Sequence, residues 1–347
     1  MHRFKTLSLA FSVLLLFLIT TLAFAGKDTP QSSSAGPASL DPGPRPVGKI
    51  AFINDGNVWM CDTDGSDRHI VCEIKNAKGP LSFSPDNKRI AFSRFGSDQN
   101  QLPSGEGGRH LLHDLFIAFV DSATTNQLWW NRVTYGLGGA FATWSDNDSV
   151  LYYQNDINAG FVDYIVPSFQ LAKVSVSDGH AEYLRKDWQS ISTNFLMPSF
   201  TRDGNKVAYV ISYSVQEDKY SFQNFGVKIV AMKDIMLPES EMRKPTKGLE
   251  KAISPSWSPD GQWLAYLNND MRNPGIYIMK ADLTENRLVY APGVAQQLSP
   301  SPVSWAPNSK WITFAMADGT IYTIDIAGNN LKQVTGPGPH NSPAWSN

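Results

Sequence analysis

The chain has 347 residues, 42% of them apolar, 12% aromatic and 18% charged, with 26 Gly and 22 Pro. That composition belongs to a turn-rich globular protein and excludes collagen-like, coiled-coil and wholly disordered chains. A net charge of −2 gives no positive field to gather a polyanion, so nucleic acid is not an expected partner. Two cysteines cannot staple a small scaffold, so stability has to come from a buried core.

Residues 1–25 read as a signal peptide. Arg3 and Lys5 precede the charge-free run Leu7 to Phe24, and Ala23-Phe24-Ala25 supplies the small-x-small pattern of a cleavage site. The expected location is therefore periplasmic or secreted. No cysteine near the cleavage point could carry a lipid, and no later stretch is apolar and long enough to cross a bilayer. Residues 26–48, with five Pro, four Gly and four Ser, read as a flexible tether that holds too little apolar surface to offset its own ordering. A docking role for that tail is a second use of the same composition.

From residue 49 to 347 one pattern recurs. An aromatic flanked by small hydroxyl residues precedes a Pro, Asp, Asn or Gly turn, and an aliphatic-small-aromatic triplet follows. Ser82-Phe83-Ser84-Pro85-Asp86-Asn87 leads to Ile90-Ala91-Phe92, and Thr143-Trp144-Ser145-Asp146-Asn147 leads to Leu151-Tyr152-Tyr153. Ser199-Phe200-Thr201-Arg202-Asp203-Gly204 leads to Val207-Ala208-Tyr209. Ser256-Trp257-Ser258-Pro259-Asp260-Gly261 leads to Leu264-Ala265-Tyr266, and Ser304-Trp305-Ala306-Pro307-Asn308 leads to Ile312-Thr313-Phe314. In each the triplet begins seven residues after the aromatic. Such turns between short β-prone runs describe hairpins. Further strands start at Val58-Trp59-Met60, Leu115-Phe116-Ile117, Ile276-Tyr277-Ile278 and Ile321-Tyr322-Thr323, which makes four antiparallel strands per repeat, the composition of a propeller blade.

The ends complete each other. Pro343-Ala344-Trp345-Ser346 is a first strand without its second, and Ile50-Ala51-Phe52 is a second strand without its first. Pairing them gives an all-β, six-bladed propeller, closed by the C-terminal strand and leaving no open sheet edge, with roughly 50 residues per blade. This pattern resembles the TolB-like six-bladed β-propeller family of WD-like repeats. Pro255 to Gly261 with Leu264-Ala265-Tyr266, and the matched half-blades at the two ends, carry the resemblance. In that family TolB is periplasmic, has an additional N-terminal α/β domain, and binds the peptidoglycan-associated lipoprotein and TolA. Here the short tether stands where that domain would be. The resemblance implies a stand-alone propeller used for protein association in the cell envelope.

Period-2 alternation sends the neighbours of each marker aromatic toward the central channel: Ser82, Ser84, Thr143, Ser145, Ser199, Thr201, Ser256, Ser258, Ser304 and Ser346. This set offers no general acid, base or metal cage. Connections between second and third strands are long in three consecutive repeats, from Phe95 to Asp114, Asn155 to Ser168 and Ser212 to Phe225. Phe161, Tyr164, Tyr213, Tyr220, Phe222 and Phe225 stand there as candidate partner-binding aromatics. Folding back onto the propeller is the alternative for the same rings.

Cys61 and Cys72 lie on opposite arms of the hairpin turning at Gly65-Ser66, so a cross-hairpin disulfide is expected, with two buried thiols as the alternative. His110, His113 and Asp114 form the one string of metal-ligating types worth noting. It lacks the third His or the zincin Glu, and the Asp62 to Asp67 loop lacks the closing Glu of a calcium site. No metal or cofactor is expected. The leading reading is a non-enzymatic, monomeric envelope module that binds a protein. Two rivals remain: a polysaccharide-fragment binder or carbohydrate-active enzyme that uses the same aromatics with Asp156, Asp163 or His113, and a metal-dependent lyase or hydrolase built on His110 and His113.

Overall fold

Short alternating runs separated by Pro, Asp, Asn and Gly turns fold as antiparallel strands throughout the computed structural model, which describes residues 42–95, 113–120, 130–132, 139–156, 169–187, 194–217 and 220–346. In chain order β1 (Lys49–Asn54), β2 (Asn57–Asp62) and β3 (His69–Cys72) come first. Blade 1 follows as β4 (Ala77–Phe83), β5 (Arg89–Phe95), β6 (His113–Phe119) and β7 (Trp130–Arg132). Blade 2 is β8 (Gly139–Trp144), β9 (Val150–Asp156), β10 (Phe169–Ser175) and β11 (Ala181–Tyr183). Blade 3 is β12 (Leu196–Phe200), β13 (Lys206–Glu217) and β14 (Tyr220–Ala231). Blade 4 is β15 (Ala252–Trp257), β16 (Trp263–Asn268), β17 (Gly275–Lys280) and β18 (Arg287–Tyr290). Blade 5 is β19 (Ser304–Trp305), β20 (Trp311–Ala315), β21 (Ile321–Asp325) and β22 (Lys332–Gln333), and β23 (His340–Trp345) ends the chain.

The closure expected from the two half-blades is present. β23 pairs antiparallel with β1 through Ile50 opposite Trp345 and Ala51 opposite Ala344, and it completes blade 6 in the order β23-β1-β2-β3. Five sheets have four strands. Blade 3 departs from the expectation with three among the described residues. Its fourth position is taken by the segment that follows β14, which holds a 3-10 turn (Met232–Asp234) and the short helix α1 (Glu239–Met242). Residues 246–249 lie beside β14 instead of a strand: Val227 N donates to Leu249 O at 2.9 Å and Thr246 N to Val227 O at 2.9 Å.

The core is a ring of six clusters, one in each joint between neighbouring blades. In the joint of blades 1 and 2, Ala91, Leu115 and Ile117 meet Trp144, Leu151 and Tyr153. In that of blades 4 and 5, Trp263, Ile276 and Ile278 meet Trp305, Ile312 and Phe314. Each marker aromatic is thus wedged against the preceding blade, and burying each such side chain contributes about 1.5–3 kcal/mol. Polar hooks lock the same joints. The Trp144 indole donates to Ser82 O at 3.0 Å and that of Trp305 to Ser256 O at 3.0 Å, while the Ser199 hydroxyl accepts from Trp257 N at 3.0 Å and the Ser304 hydroxyl from Trp345 N at 2.9 Å.

The same joints settle the two cysteines. Cys61 lies in the cluster between blades 5 and 6, and Cys72 in the cluster between blades 6 and 1. They sit on opposite faces of one sheet, because Val58, not Cys61, is opposite Cys72. Both are buried free thiols, which corrects the expected disulfide.

Candidate functional site

Strand direction divides the propeller into two faces. Each innermost strand ends at its marker aromatic, and the turn that follows, residues 258–262 in blade 4, gathers with its counterparts on one face. The connections from second to third strands emerge on the opposite face.

On the turn face the hydroxyl that follows the marker aromatic, present in every blade but the fifth, where Ala306 stands, is engaged in a clamp. Ser84 donates to Asp86 at 2.6 Å and accepts from Arg89 N at 3.0 Å. Ser145 donates to Asn147 at 2.7 Å and accepts from Val150 N at 3.1 Å. Thr201 donates to Asp203 at 2.6 Å and accepts from Lys206 N at 3.0 Å. Ser258 donates to Asp260 at 2.6 Å and accepts from Trp263 N at 2.9 Å. Ser346 accepts from Lys49 N at 2.9 Å across the ring closure. Burial pushes the carboxyl of Asp203 upward, yet the bonds from Thr201 and the Asn205 N–H outweigh it and hold the group below its ordinary range.

The axial channel, with a free volume of about 120 Å³, is lined by Ser82, Thr143, Ser199, Ser256, Ser258 and Ser304. Ser84, Ser145, Thr201 and Ser346 are not among its lining, contrary to the alternation read from sequence. They stand one residue beyond their strands, where the hydroxyl is taken up by the clamp; Ser258 closes the same clamp and still lines the channel. Pro198, Pro255 and Pro343 line the channel toward the other mouth on edge strands, where a missing N–H costs no ladder bond, and Pro302 joins them just before β19. Arg202, absent from the sequence-derived set, also lines it. Burial lowers its pKa, while Asp146 and Asp148 support its charge.

No protein-family model matches the chain. The Tol-Pal system protein TolB of Desulfosudis oleivorans is 33% identical over 86 residues, a stretch that takes in 24% of this chain and only 18% of that relative. The solved structure of TolB from Acinetobacter baumannii superposes with a TM-score of 0.59 at 15% identity, covering 86% of this chain and 66% of that one. A putative TolB from Agrobacterium tumefaciens gives 0.52 at 12% identity, covering 84% and 90%. The chain folds as a TolB-like six-bladed propeller.

On the hairpin face of this TolB-like propeller, the stretch Ser212 to Phe225 is not a loop. β13 and β14 stay in register to the tip, from Lys206 opposite Ala231 to Glu217 opposite Tyr220, so twelve-residue strands stand beside the six-residue β16 and β17. One face carries Ser212, Ser214 and Gln223, joined by Ser212 donating to Gln223 at 3.0 Å and Gln223 donating to Ser214 at 2.8 Å. Tyr213 is half-buried; its hydroxyl donates to Glu250 O at 2.6 Å, and burial raises its pKa. Phe225 packs against the joint of blades 3 and 4. These two rings brace the base of the hairpin. Tyr220 and Phe222 occupy its outer part, opposite Glu217 and Val215 in the register. Phe161 and Tyr164 lie outside the described residues, as do His110 and Asp163. His113 and Asp114 begin β6, opposite Phe95 and Arg94, and Asp156 ends β9.

Among the described residues no three His, Cys, Asp or Glu side chains converge as metal ligands, and no helix is long and apolar enough to cross a membrane. A second cavity, of about 300 Å³, lies beside blade 4 between Lys251, Tyr266, Asp270 and Asn286. Its polar groups are engaged with one another: Tyr266 donates to Asn286 at 2.7 Å and Lys251 to Asp270 at 2.9 Å. Sequence reading also missed Arg185. Buried beside the replaced strand of blade 3, it donates to Ile235 O, to Leu237 O at 3.1 Å, and in bidentate fashion to Asp187 at 2.9 and 2.7 Å.

Proposed function

We propose that this TolB-like propeller is an exported, non-enzymatic association module of the cell envelope that engages a protein partner with its hairpin face. The observation that carries this reading is the β13–β14 hairpin, a paired arm that runs about twice the length of the other central hairpins. A hydrogen-bonded arm loses little conformational freedom on binding, which favours its use as a contact element. Aromatic residues along it provide large contact area with few rotors to freeze. The TolB likeness adds an envelope setting in which proteins assemble with proteins.

The test is an in-cell crosslinking capture with the mature chain and a variant whose residues 214–223 are replaced by Asn-Gly. Tyr213 and Asn224 are directly opposite, so a two-residue turn keeps the register of the remaining hairpin. A specific envelope protein captured by the intact chain and lost from the variant is the expected outcome. Capture of the same proteins by both would overturn the assignment of the hairpin face.

A further inference from the structure

The arm of blade 3 outruns its own sheet. In blade 4 the innermost strand β15 accompanies β16 to its last residue, with Ala252 opposite Asn268. In blade 3 the innermost strand β12 accompanies β13 only as far as Val210, opposite Leu196, while β13 continues to Glu217. Beyond Val210 the β12 side of β13 is a sheet edge without a neighbouring strand among the described residues.

Register fixes which peptide groups point to that edge. Val227 spends its N–H on Leu249 O and its C=O on Thr246 N, both at 2.9 Å, so it bonds on the far side of β14 and not to Val210 opposite it. Val210 accordingly turns its N–H and C=O away from β14, and in an antiparallel ladder every second residue does the same. Lys206 agrees, giving its C=O to Thr201 N of blade 3 at 3.0 Å. Ser212, Ser214 and Gln216 therefore present their N–H and C=O groups along the open edge, and none of these groups has a backbone partner among the described residues.

Such a row of unpaired groups is a template for another strand, which monomeric proteins blunt with Pro, Lys, a bulge or a very short edge. Ile211-Ser212-Tyr213-Ser214-Val215-Gln216 holds no Pro and no charge, and β13 runs along β14 without a bulge. The edge also fits itself. Ser212 and Ser214 share the exposed face with Gln223, and Tyr213 and Val215 take the half-buried one. A twofold axis perpendicular to the arm reverses strand direction but keeps each face. It sets the hydroxyl face beside its equivalent, the Tyr213 and Val215 face beside its equivalent, and the N–H groups of one edge opposite the C=O groups of the other. A second copy brings this strand already ordered, so it loses less freedom on pairing than an unfolded segment does.

We propose that the edge of β13 from Ser212 to Gln216 pairs antiparallel with the same edge of a second copy, joining two arms into one four-stranded sheet with the hairpin faces of the two propellers toward each other. The pairing rests on the reading of the arm as an association element, and it departs from the monomer expected from sequence.

The test is analytical ultracentrifugation of the mature chain from micromolar to near-millimolar concentration, together with amide hydrogen exchange along the arm. A dimer that dissociates on dilution is expected. The amides of Ser212, Ser214 and Gln216 should exchange about tenfold more slowly in concentrated protein, whereas those of Tyr213 and Val215, bonded within the arm, should be protected at every concentration. Ser214→Pro removes an outward N–H and leaves the arm's own ladder intact, so it should weaken the dimer about tenfold, while Ser214→Ala, which keeps that N–H, should dimerise like the unaltered chain. Retained protection of Tyr213 and Val215 in Ser214→Pro would show that the arm is still paired. A monomer at every concentration would overturn the pairing, and capture of an envelope protein by that monomer would leave the proposed function standing. A dimer lost in Ser214→Pro from a chain that captures nothing would uphold the pairing and refute the partner. A dimer indifferent to Ser214→Pro would overturn the edge as its site. Slow exchange of Ser212 and Ser214 at all concentrations would put a segment of the same chain on the edge and refute the second copy.

Discussion

Ser258→Ala tests whether the turn clamps hold the ring together. Ser258 is 1% exposed, donates to Asp260 at 2.6 Å and accepts from Trp263 N at 2.9 Å. The substitution removes a hydrogen bond to a carboxylate and leaves a buried N–H unmet, which together predict a loss of about 2–3 kcal/mol. For a domain of this size that corresponds to a fall in Tm of about 3–5 °C, read by differential scanning fluorimetry. Two variants bracket the reasoning. Ser258→Thr should retain most of the stability, because Thr201 closes the same clamp in blade 3 at 2.6 and 3.0 Å. Ala306→Ser should raise stability by about 1 kcal/mol, since blade 5 has Asn308 in place but no hydroxyl before it. A drop below about 1 °C for Ser258→Ala, or equal losses for Ala and Thr, would refute the clamp as a source of stability.

Arg185→Lys should destabilise by about 3 kcal/mol or more, because one ammonium cannot reproduce a bidentate pair with Asp187 and two bonds to backbone carbonyls; chemical denaturation checks this, and a loss under about 1 kcal/mol would contradict it. Burial pushes the thiols of Cys61 and Cys72 up to about 11, so neither should react with a disulfide-exchange reagent at pH 8 in the native protein, and both should react once the chain is unfolded in denaturant. Lys251 holds the carboxyl of Asp270 down at about 2, with the Arg272 N–H adding to the effect. Its stabilising contribution is therefore fully present above the ordinary carboxylate range near 4 and is lost as pH falls from about 4 toward 2, so the Tm difference between the native chain and Asp270→Asn should shrink in that window and stay constant from pH 5 to 7.

The repeat was legible because its punctuation is chemical. Pro, Asp, Asn and Gly fix the turns, and the aromatic seven residues before each aliphatic triplet marks the wedge between blades. The ring closure was legible too, as two half-blades with complementary deficits. What escaped follows from the limits of alternation. Period 2 holds only inside a strand, and Ser84, Ser145, Thr201 and Ser346 stand one residue past its end, so four of the ten hydroxyls expected in the channel wall are turn clamps instead. The spacing hydroxyl-x-Asp/Asn, as in Ser84-Pro85-Asp86 and Thr201-Arg202-Asp203, already carried that signal. Alternation also runs through Tyr213-Ser214-Val215-Gln216, a strand signal that the reading of this stretch as a connection passed over. The cysteine pairing failed for a related reason: opposite arms of a hairpin bring two residues close only when register makes them direct partners, and Cys72 faces Val58. Arg185 and the helical replacement in blade 3 have no repeat counterpart, so periodicity could not announce them.

The two faces carry different chemistry for a reason built into the chain path. β1 starts on the turn face at Lys49, so residues 42–48, which lead into it, lie on that face. The β13–β14 hairpin rises from the face where second strands end. Because antiparallel strands alternate direction, these positions cannot share a face without changing the number of strands in a blade. The turn face carries the clamps, whose hydroxyls, carboxylates and N–H groups satisfy one another. The hairpin face carries the lengthened β13–β14 arm, and the helical segment that follows β14 takes the place of the fourth strand at the outer edge of blade 3. In a closed ring every blade must hold the same joints, so variation that does not weaken closure accumulates at a blade's outer edge or beyond the sheet ends. A long paired arm at that position satisfies the constraint while adding contact surface, which is why the hairpin, and not the hydroxyl-lined channel, is the stronger candidate for recognition.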